Sequence, residues 1–270
     1  MATAGYDRWE VVMNLIKELY NYREMLFSLV RKNLRGRYKG SVLGFLWTFL
    51  IPLLQLGVYT LVFSVIMKAG YEKYYLFLFT ALVPWFFFSG SVASGTGCIW
   101  EQRNLVNKIY FPREILPIAH VTYLLVNMLL SLLIVFAVLI LSGHGINVIA
   151  VLYLPVVIII EYILALGITM LMSALDVYFR DLQYIMEILT MAWQFLTPVM
   201  YGLDAVPEEL RFVFHFNPMT SVIECFRDIM YYKRIPDIST LGLAGFMGML
   251  FMTVGVLTFG RLKKRFSEGM

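Results

Sequence analysis

Between Lys39 and Lys68 the chain runs 28 residues without a charged side chain. At about 1.5 Å per helical residue, such a stretch outreaches the ~30 Å hydrocarbon core of a bilayer. The pattern recurs and predicts six membrane-spanning helices, near residues 42–67, 74–99, 118–141, 148–174, 183–201 and 239–260. The first contains Pro52 and Gln55, and the second opens on Tyr74 and Tyr75 and closes near Trp100, where interfacial aromatics belong. Glu114 and Glu161 bracket 46 residues whose only acidic, basic or imidazole side chains are His120 and His144. Gly143-His144-Gly145 divides that run into the third and fourth spans. The fifth is short and ends at Thr197-Pro198.

Two polar-apolar segments flank or interrupt these spans. Residues 8–34 place Trp9, Val12, Ile16, Leu19, Tyr20, Phe27 and Val30 at mostly three- to four-residue steps, with Lys17, Arg23, Arg31, Lys32 and Arg35 between them. That is an amphipathic helix suited to lying in the headgroup layer, the alternative being a soluble helix packed on a partner protein. The loop 202–238 carries Asp204, Glu208, Glu209 and Arg211, then an apolar stretch from Phe212 to Ile223 broken by Asn217-Pro218. Too short to span, it predicts two short re-entrant or outer-face helices. They would form either a lining or lid for an outer exit, or a surface hairpin with no gating role.

With six spans, sixteen of the 22 Lys and Arg residues fall on the side that holds both ends of the chain. The positive-inside bias therefore predicts that both termini are cytoplasmic. Apolar residues make up 60% of the sequence and charged residues 15%, against ~25% in soluble domains, and this leaves no room for a separate soluble domain. The net charge of +4 resides at membrane edges, where anionic lipid fits better than nucleic acid. The first forty residues lack the short apolar core of a cleavable signal, so the first span is expected to direct insertion.

Little in the sequence supports catalysis. There is no HExxH, no GxSxG elbow and no glycine-rich loop ending in GK[ST], so the chain is expected to bind neither metal nor ATP. Cys98 and Cys225 read as buried small hydrophobes rather than a disulfide. Glu161, midway along span four, and Glu187, near the start of span five, are costly in lipid. They serve either structural pairing or a transport pathway. Small residues in span two (Gly90, Ser94, Gly95, Gly97) and span six (Gly242, Gly245, Gly248, Gly255) signal close helix packing. Trp47 and Trp85 are candidates for contact with a passing sugar, whose ring suits an uncharged aromatic face. Arg31, Lys32, Arg35, Arg37 and Lys39 lie within nine residues at the inner headgroup level. They suit a lipid diphosphate or, equally, generic anionic-lipid anchoring. The segment 101–117 is longer than a turn needs and holds a short helix stopped by Phe111-Pro112, as though built to dock something.

Four blocks carry a family resemblance: RKNLRGRYKGSVLGFLWTFLIPLLQ (31–55), NLVNKIYFPREILP (104–117), DVYFRDLQY (176–184) and TPVMYGLDAVPEELRFVFHFNPMTSVIECFRD (197–228). Together, and in this order, they resemble the membrane permease of type-2 ABC exporters that move lipid-linked O-antigen or wall teichoic acid. The resemblance implies a single all-α membrane domain over 1–270 with six spans, an interfacial helix at 8–34 and a cytoplasmic tail at 261–270. It further implies a homodimer in the bacterial plasma membrane with two separate ATPase subunits, which would carry ATP and Mg. The cargo would be a glycan or polyol-phosphate polymer on undecaprenyl diphosphate. The segment 101–113 would be the coupling helix, with Arg103, Asn104, Asn107, Lys108, Phe111, Pro112 and Arg113 at the ATPase. The amphipathic helix would flank a lipid access gate, and Tyr201, Asn217 and Pro218 would belong to the outer gate. The competing expectations are a type-2 exporter of drugs or small lipids, and a proton-coupled carrier that uses Glu161 and Glu187.

Overall fold

The computed structural model describes residues 17–36, 40, 42–66, 70–263 and 266. Trp9, Val12, Ile16, Arg37, Lys39 and most of the expected tail lie outside them. Among the described residues every regular element is helical. Lipid offers the backbone no hydrogen-bond partner, so an apolar chain of this kind satisfies its own amides within helices.

Helix α1 (Arg23–Gly36) turns Leu29 and Val30 into the bundle and leaves Arg31, Lys32 and Arg35 exposed. Helix α2 (Trp47–Thr60) contains Pro52 and runs on through a π-helical turn, Leu61–Ile66. Helix α3 (Tyr74–Thr96) leads into two short helices, α4 (Cys98–Glu101) and α5 (Arg103–Lys108). Helix α6 (Ile115–Leu141) ends at a turn in which Gly143 and Gly145 take φ of +66° and +79°. Side chains with a Cβ rarely adopt that conformation, so the two glycines set the break between spans three and four. The chain returns through α7 (Val148–Val151) and α8 (Leu154–Asp176).

Among the described residues five segments are long and apolar enough to cross a membrane: Trp47–Ser64, Tyr74–Thr96, Ile115–Leu141, Val148–Asp176 and Ile238–Leu262. The expected fifth span differs. Helix α9 (Leu182–Phe195) has 14 residues and stops six short of the expected end at 201. At ~1.5 Å per residue it reaches only about 21 Å. Residues 196–200 turn instead, and Pro198, which has no amide hydrogen, cannot extend the ladder. The loop that follows forms the two short helices read from the sequence, α10 (Glu208–Phe216) and α11 (Pro218–Met230), broken at Asn217. They differ sharply in burial: no residue of α10 is buried, whereas nearly all of α11 is. Helix α12 (Ile238–Leu262) completes the bundle.

Helix α3 is the central post: 78% of its most apolar window is buried, against 11% for the α2 span and 17% for α12. It packs on α2, α6, α8, α9 and α11. Small residues make these contacts possible. A Cβ on Gly95 of α3 would lie 2.6 Å from Thr169 Cγ2 of α8, whose hydroxyl donates to the Ser91 carbonyl at 2.9 Å. Helices α8 and α12 meet backbone to backbone at Gly167 and Gly255. Gly248 abuts the Ile160 carbonyl, but Gly242 faces open space. Cys98 and Cys225 are both buried free thiols, as expected.

Candidate functional site

At the end of the bundle that carries α1, the chain from α4 to α6 forms a compact elbow. Ile109 leaves α5 with extended backbone, and the following residues fold back toward Glu114. The elbow is fastened on two sides. Tyr22 Oη donates to the Tyr110 carbonyl at 3.3 Å, and Lys32 Nζ donates to Gln102 Oε1 at 3.1 Å, both from the α1 side. Arg113 donates to the Lys263 carbonyl, and the Lys263 ammonium pairs with the buried Glu114 carboxylate. The Arg113 guanidinium also sits 5.6 Å from the Phe266 ring centroid.

Of the docking residues read from the sequence, Arg103, Asn104, Asn107 and Lys108 are exposed, Arg113 is half-buried in its clamp, and Phe111 and Pro112 are buried beneath. The exposed tip is Ile109-Tyr110, with Tyr110 85% exposed, and sequence reasoning had not singled it out. The only available signal was a pair of large side chains directly before an anchoring Phe-Pro. A groove of about 630 Å³, lined by Glu18, Asn107, Tyr110, Arg113 and Lys263 among others, opens beside it. The elbow also holds the loop after α8. Arg180 stacks on the Trp100 ring at 3.7 Å, with Arg103 at 5.4 Å from the same ring. The Gln183 side chain fills the space that a Cβ on Gly97 would need.

Above the elbow a cavity of about 710 Å³ opens between α1, α2, α3 and α6. Its mouth carries Lys32, Glu101 and Gln102. Its interior is lined by Trp47, Thr48 and Gln55 of α2 and by Tyr123, Asn127 and Ser131 of α6. Of the basic cluster read from the sequence, only Lys32 lines this space among the described residues; Arg31 and Arg35 face outward. Trp47 lines the cavity, whereas Trp85 is buried beside Phe88, their ring centroids 5.6 Å apart. Glu161 is wholly buried and neither carboxylate oxygen has a protein partner, while Glu187 is exposed on α9. The two carboxylates do not form one site.

The opposite end is closed by hydrogen bonds around Tyr201, Asn217 and Pro218. The Asn217 carboxamide accepts from Trp193 Nε1 at 3.0 Å and from the Met219 amide at 3.1 Å. It donates to the Leu196 carbonyl at 3.0 Å and to Thr197 Oγ1 at 2.8 Å. Asn217 is thus both the N-cap of α11 and the tie to the end of α9, with Pro218 at the first helical position. Tyr201 Oη donates to the Phe195 carbonyl at 2.6 Å.

Arg227 of α11 sits beneath this turn. It donates to the Val199 and Tyr201 carbonyls at 2.6 and 3.0 Å, with its guanidinium 3.7 Å from the Phe77 ring centroid. Burial lowers its pKa to about 10, still far above neutrality. On the same helix, burial chiefly, and Asp228 next, push Glu224 up to about 7. Tyr71 hydrogen-bonds Asp204 at 2.9 Å, and burial raises its pKa to about 12. Replacing Arg227 by leucine strands two carbonyls. It is expected to cost about 1–3 kcal/mol for each unsatisfied group, measurable as a lower unfolding temperature of the purified protein in detergent.

The bundle defines a multi-pass integral membrane protein with a side-chain-fastened elbow at one end and a hydrogen-bonded cap at the other. Residues 24–231 match the ABC-2 type transporter family, and the chain belongs to it. It is 36% identical over 261 residues to the O-antigen export system permease protein RfbA of Myxococcus xanthus, covering 96% of this chain and 100% of that one. An O-antigen export permease RfbA of Klebsiella pneumoniae is 28% identical, covering 94% of this chain and 98% of that one. The polysialic acid transport protein KpsM of Escherichia coli is 23% identical, covering 86% and 91%.

Proposed function

We propose that the chain is the permease subunit of an ATP-driven exporter that carries a cell-surface polysaccharide across the bacterial plasma membrane. The observation that carries this reading is the end-to-end similarity, at 36% identity, to a permease of O-antigen export. The relatives named above handle glycans, which favours a glycan over a polyol-phosphate polymer and over drugs or small lipids. The cargo would travel on a lipid diphosphate, with the outward Arg31 and Arg35 of α1 near its headgroup.

In this reading α9, together with the turn after it, serves as the fifth of six crossings, and both termini face the cytoplasm. Two copies of the chain wall the path, and two ATPase subunits hold nucleotide and magnesium. ATP binding draws the ATPases together and presses on the elbow through Arg103, Asn104, Asn107, Lys108 and the Ile109-Tyr110 tip. The Arg180–Trp100 stack and the Gln183–Gly97 contact carry that displacement to α9. The α10–α11 cap opens at the far side.

Deleting this chain should abolish surface glycan and leave lipid-linked glycan in the cytoplasm, and the chain should co-purify with an ATPase. Surface glycan at the normal level after deletion would refute the reading. Glu161→Gln separates export from proton-coupled carriage: export is expected to be unchanged. Loss of export with the partner's ATP hydrolysis intact would instead assign transport to that carboxyl.

A further inference from the structure

We propose that the cavity between α1, α2, α3 and α6 is a binding site for one or two uncharged sugar units of the exported glycan. The inference rests on the export reading and adds to it a place and a ligand chemistry.

The first argument is the cost of the wall. Asn127 lies midway along α6, 92% buried by its 8% exposure, and neither end of its carboxamide has a hydrogen-bond partner in the protein. Thr48 of α2, 5% exposed, has an unpartnered hydroxyl. Gln55 lies two helical turns beyond Thr48 and lines the same space. Polar groups within a membrane helix are expensive and are tolerated where they meet one another, a cavity or a ligand. Here they cluster on the two helices that face each other across the void. Ser131 donates to the Asn127 backbone carbonyl at 3.0 Å, which leaves its oxygen free to accept.

The second argument is the kind of ligand that this wall fits. Two carboxamides and two hydroxyls offer donors and acceptors together, the set that a sugar hydroxyl uses in both senses. Trp47 and Tyr123 line the same cavity and supply aromatic faces for the apolar C–H side of a pyranose.

Charge narrows the class further. Among the described residues the charged side chains lining the cavity are Lys32 and Glu101, one of each sign and both at the mouth, with the His120 imidazole further in. The Lys32 ammonium already donates to Gln102. Among the described residues a bare diphosphate would meet no excess of Lys and Arg over acid here, whereas a neutral sugar needs none. A volume of about 710 Å³ falls within the ~300–1,000 Å³ of pockets that enclose small ligands. One wall is also free to adjust: the α2 span is only 11% buried, and Pro52 removes an amide from its ladder directly beside the cavity.

The test uses the permease–ATPase complex in detergent, carrying Thr48→Cys or, separately, Ser131→Cys in a Cys98→Ala background. A small polar thiol reagent reports access to the cavity. The neutral disaccharide N,N′-diacetylchitobiose is expected to slow labelling at both positions, and inorganic pyrophosphate is not. Adding Gln55→Leu or Asn127→Leu should raise the disaccharide concentration needed for protection by about tenfold, roughly the worth of one lost hydrogen bond.

Labelling that neither chitobiose nor maltose slows would overturn the proposal and leave the cavity to water. Protection by pyrophosphate instead would reassign it to the lipid headgroup. Either result would leave the export reading standing, because that reading is judged separately by surface glycan in the deletion strain.

Discussion

Replacing Gly255 by leucine is expected to prevent the chain from accumulating as a folded protein. A Cβ at that position would lie 2.1 Å from the Gly167 carbonyl oxygen and 2.9 Å from its carbon, so the obstacle is backbone and no rotamer change relieves it. Helices α8 and α12 would have to separate along their most extensive contact. The cost is about 3 kcal/mol or more, the upper end for overpacking. Without a hydrophobic drive to hold helices together in lipid, close packing of this kind is what binds them. Gly242→Leu on the same helix is the control, since nothing lies within 4 Å of its added carbon, and it should be neutral. Detergent-solubilised yield and size-exclusion profiles of the two variants give the answer; equal profiles would remove the crossing as a determinant of the fold.

The second large effect is expected at the elbow. Arg103→Glu combined with Lys108→Glu reverses two exposed charges on α5 without touching the buried anchors Phe111 and Glu114. Reversing charges at an interface costs several kcal/mol, so association with an ATPase that pairs with these two cations should weaken on the order of a hundredfold, about 3 kcal/mol. The permease should insert normally while surface glycan disappears and ATP hydrolysis no longer responds to cargo. Unchanged export in the double variant would exclude this face from energy coupling. Tyr110→Ala tests the tip that charge reasoning passes over. At 85% exposure in the isolated chain, Tyr110 is the type of residue that anchors an interface.

The spans with long apolar runs were legible because length and hydropathy alone define them. The break at Gly143–Gly145 was legible because two positive-φ residues must lie there. The end of α9 was legible only in part, from Thr197-Pro198. Polar residues (Gln183, Glu187, Thr190, Gln194 and Thr197) are scattered through 183–201, so hydropathy does not mark where the helix stops. The stop depends on Asn217, about twenty residues away in sequence, which takes up the Leu196 carbonyl. At the elbow the composition of Asn-Lys-Ile-Tyr-Phe-Pro showed a docking segment. Which of four neighbouring apolar residues point outward is fixed by the Tyr22 and Arg113 ties from distant helices. The cavity was half legible. Gln55 stood out as a polar residue in a span, but only folding brings it and Thr48 opposite Asn127 and Ser131.

The turn after α9 has a mechanical corollary. Five successive or nearby carbonyls, those of Phe195, Leu196, Val199, Met200 and Tyr201, are each taken by a side chain: Tyr201, Asn217, Arg227, Tyr74 and Arg227 again. Stripping any one of them bare at membrane depth costs several kcal/mol. Three of the five are held from α11, by its N-cap Asn217 and by Arg227 within it, so displacing that one helix would strip all three together.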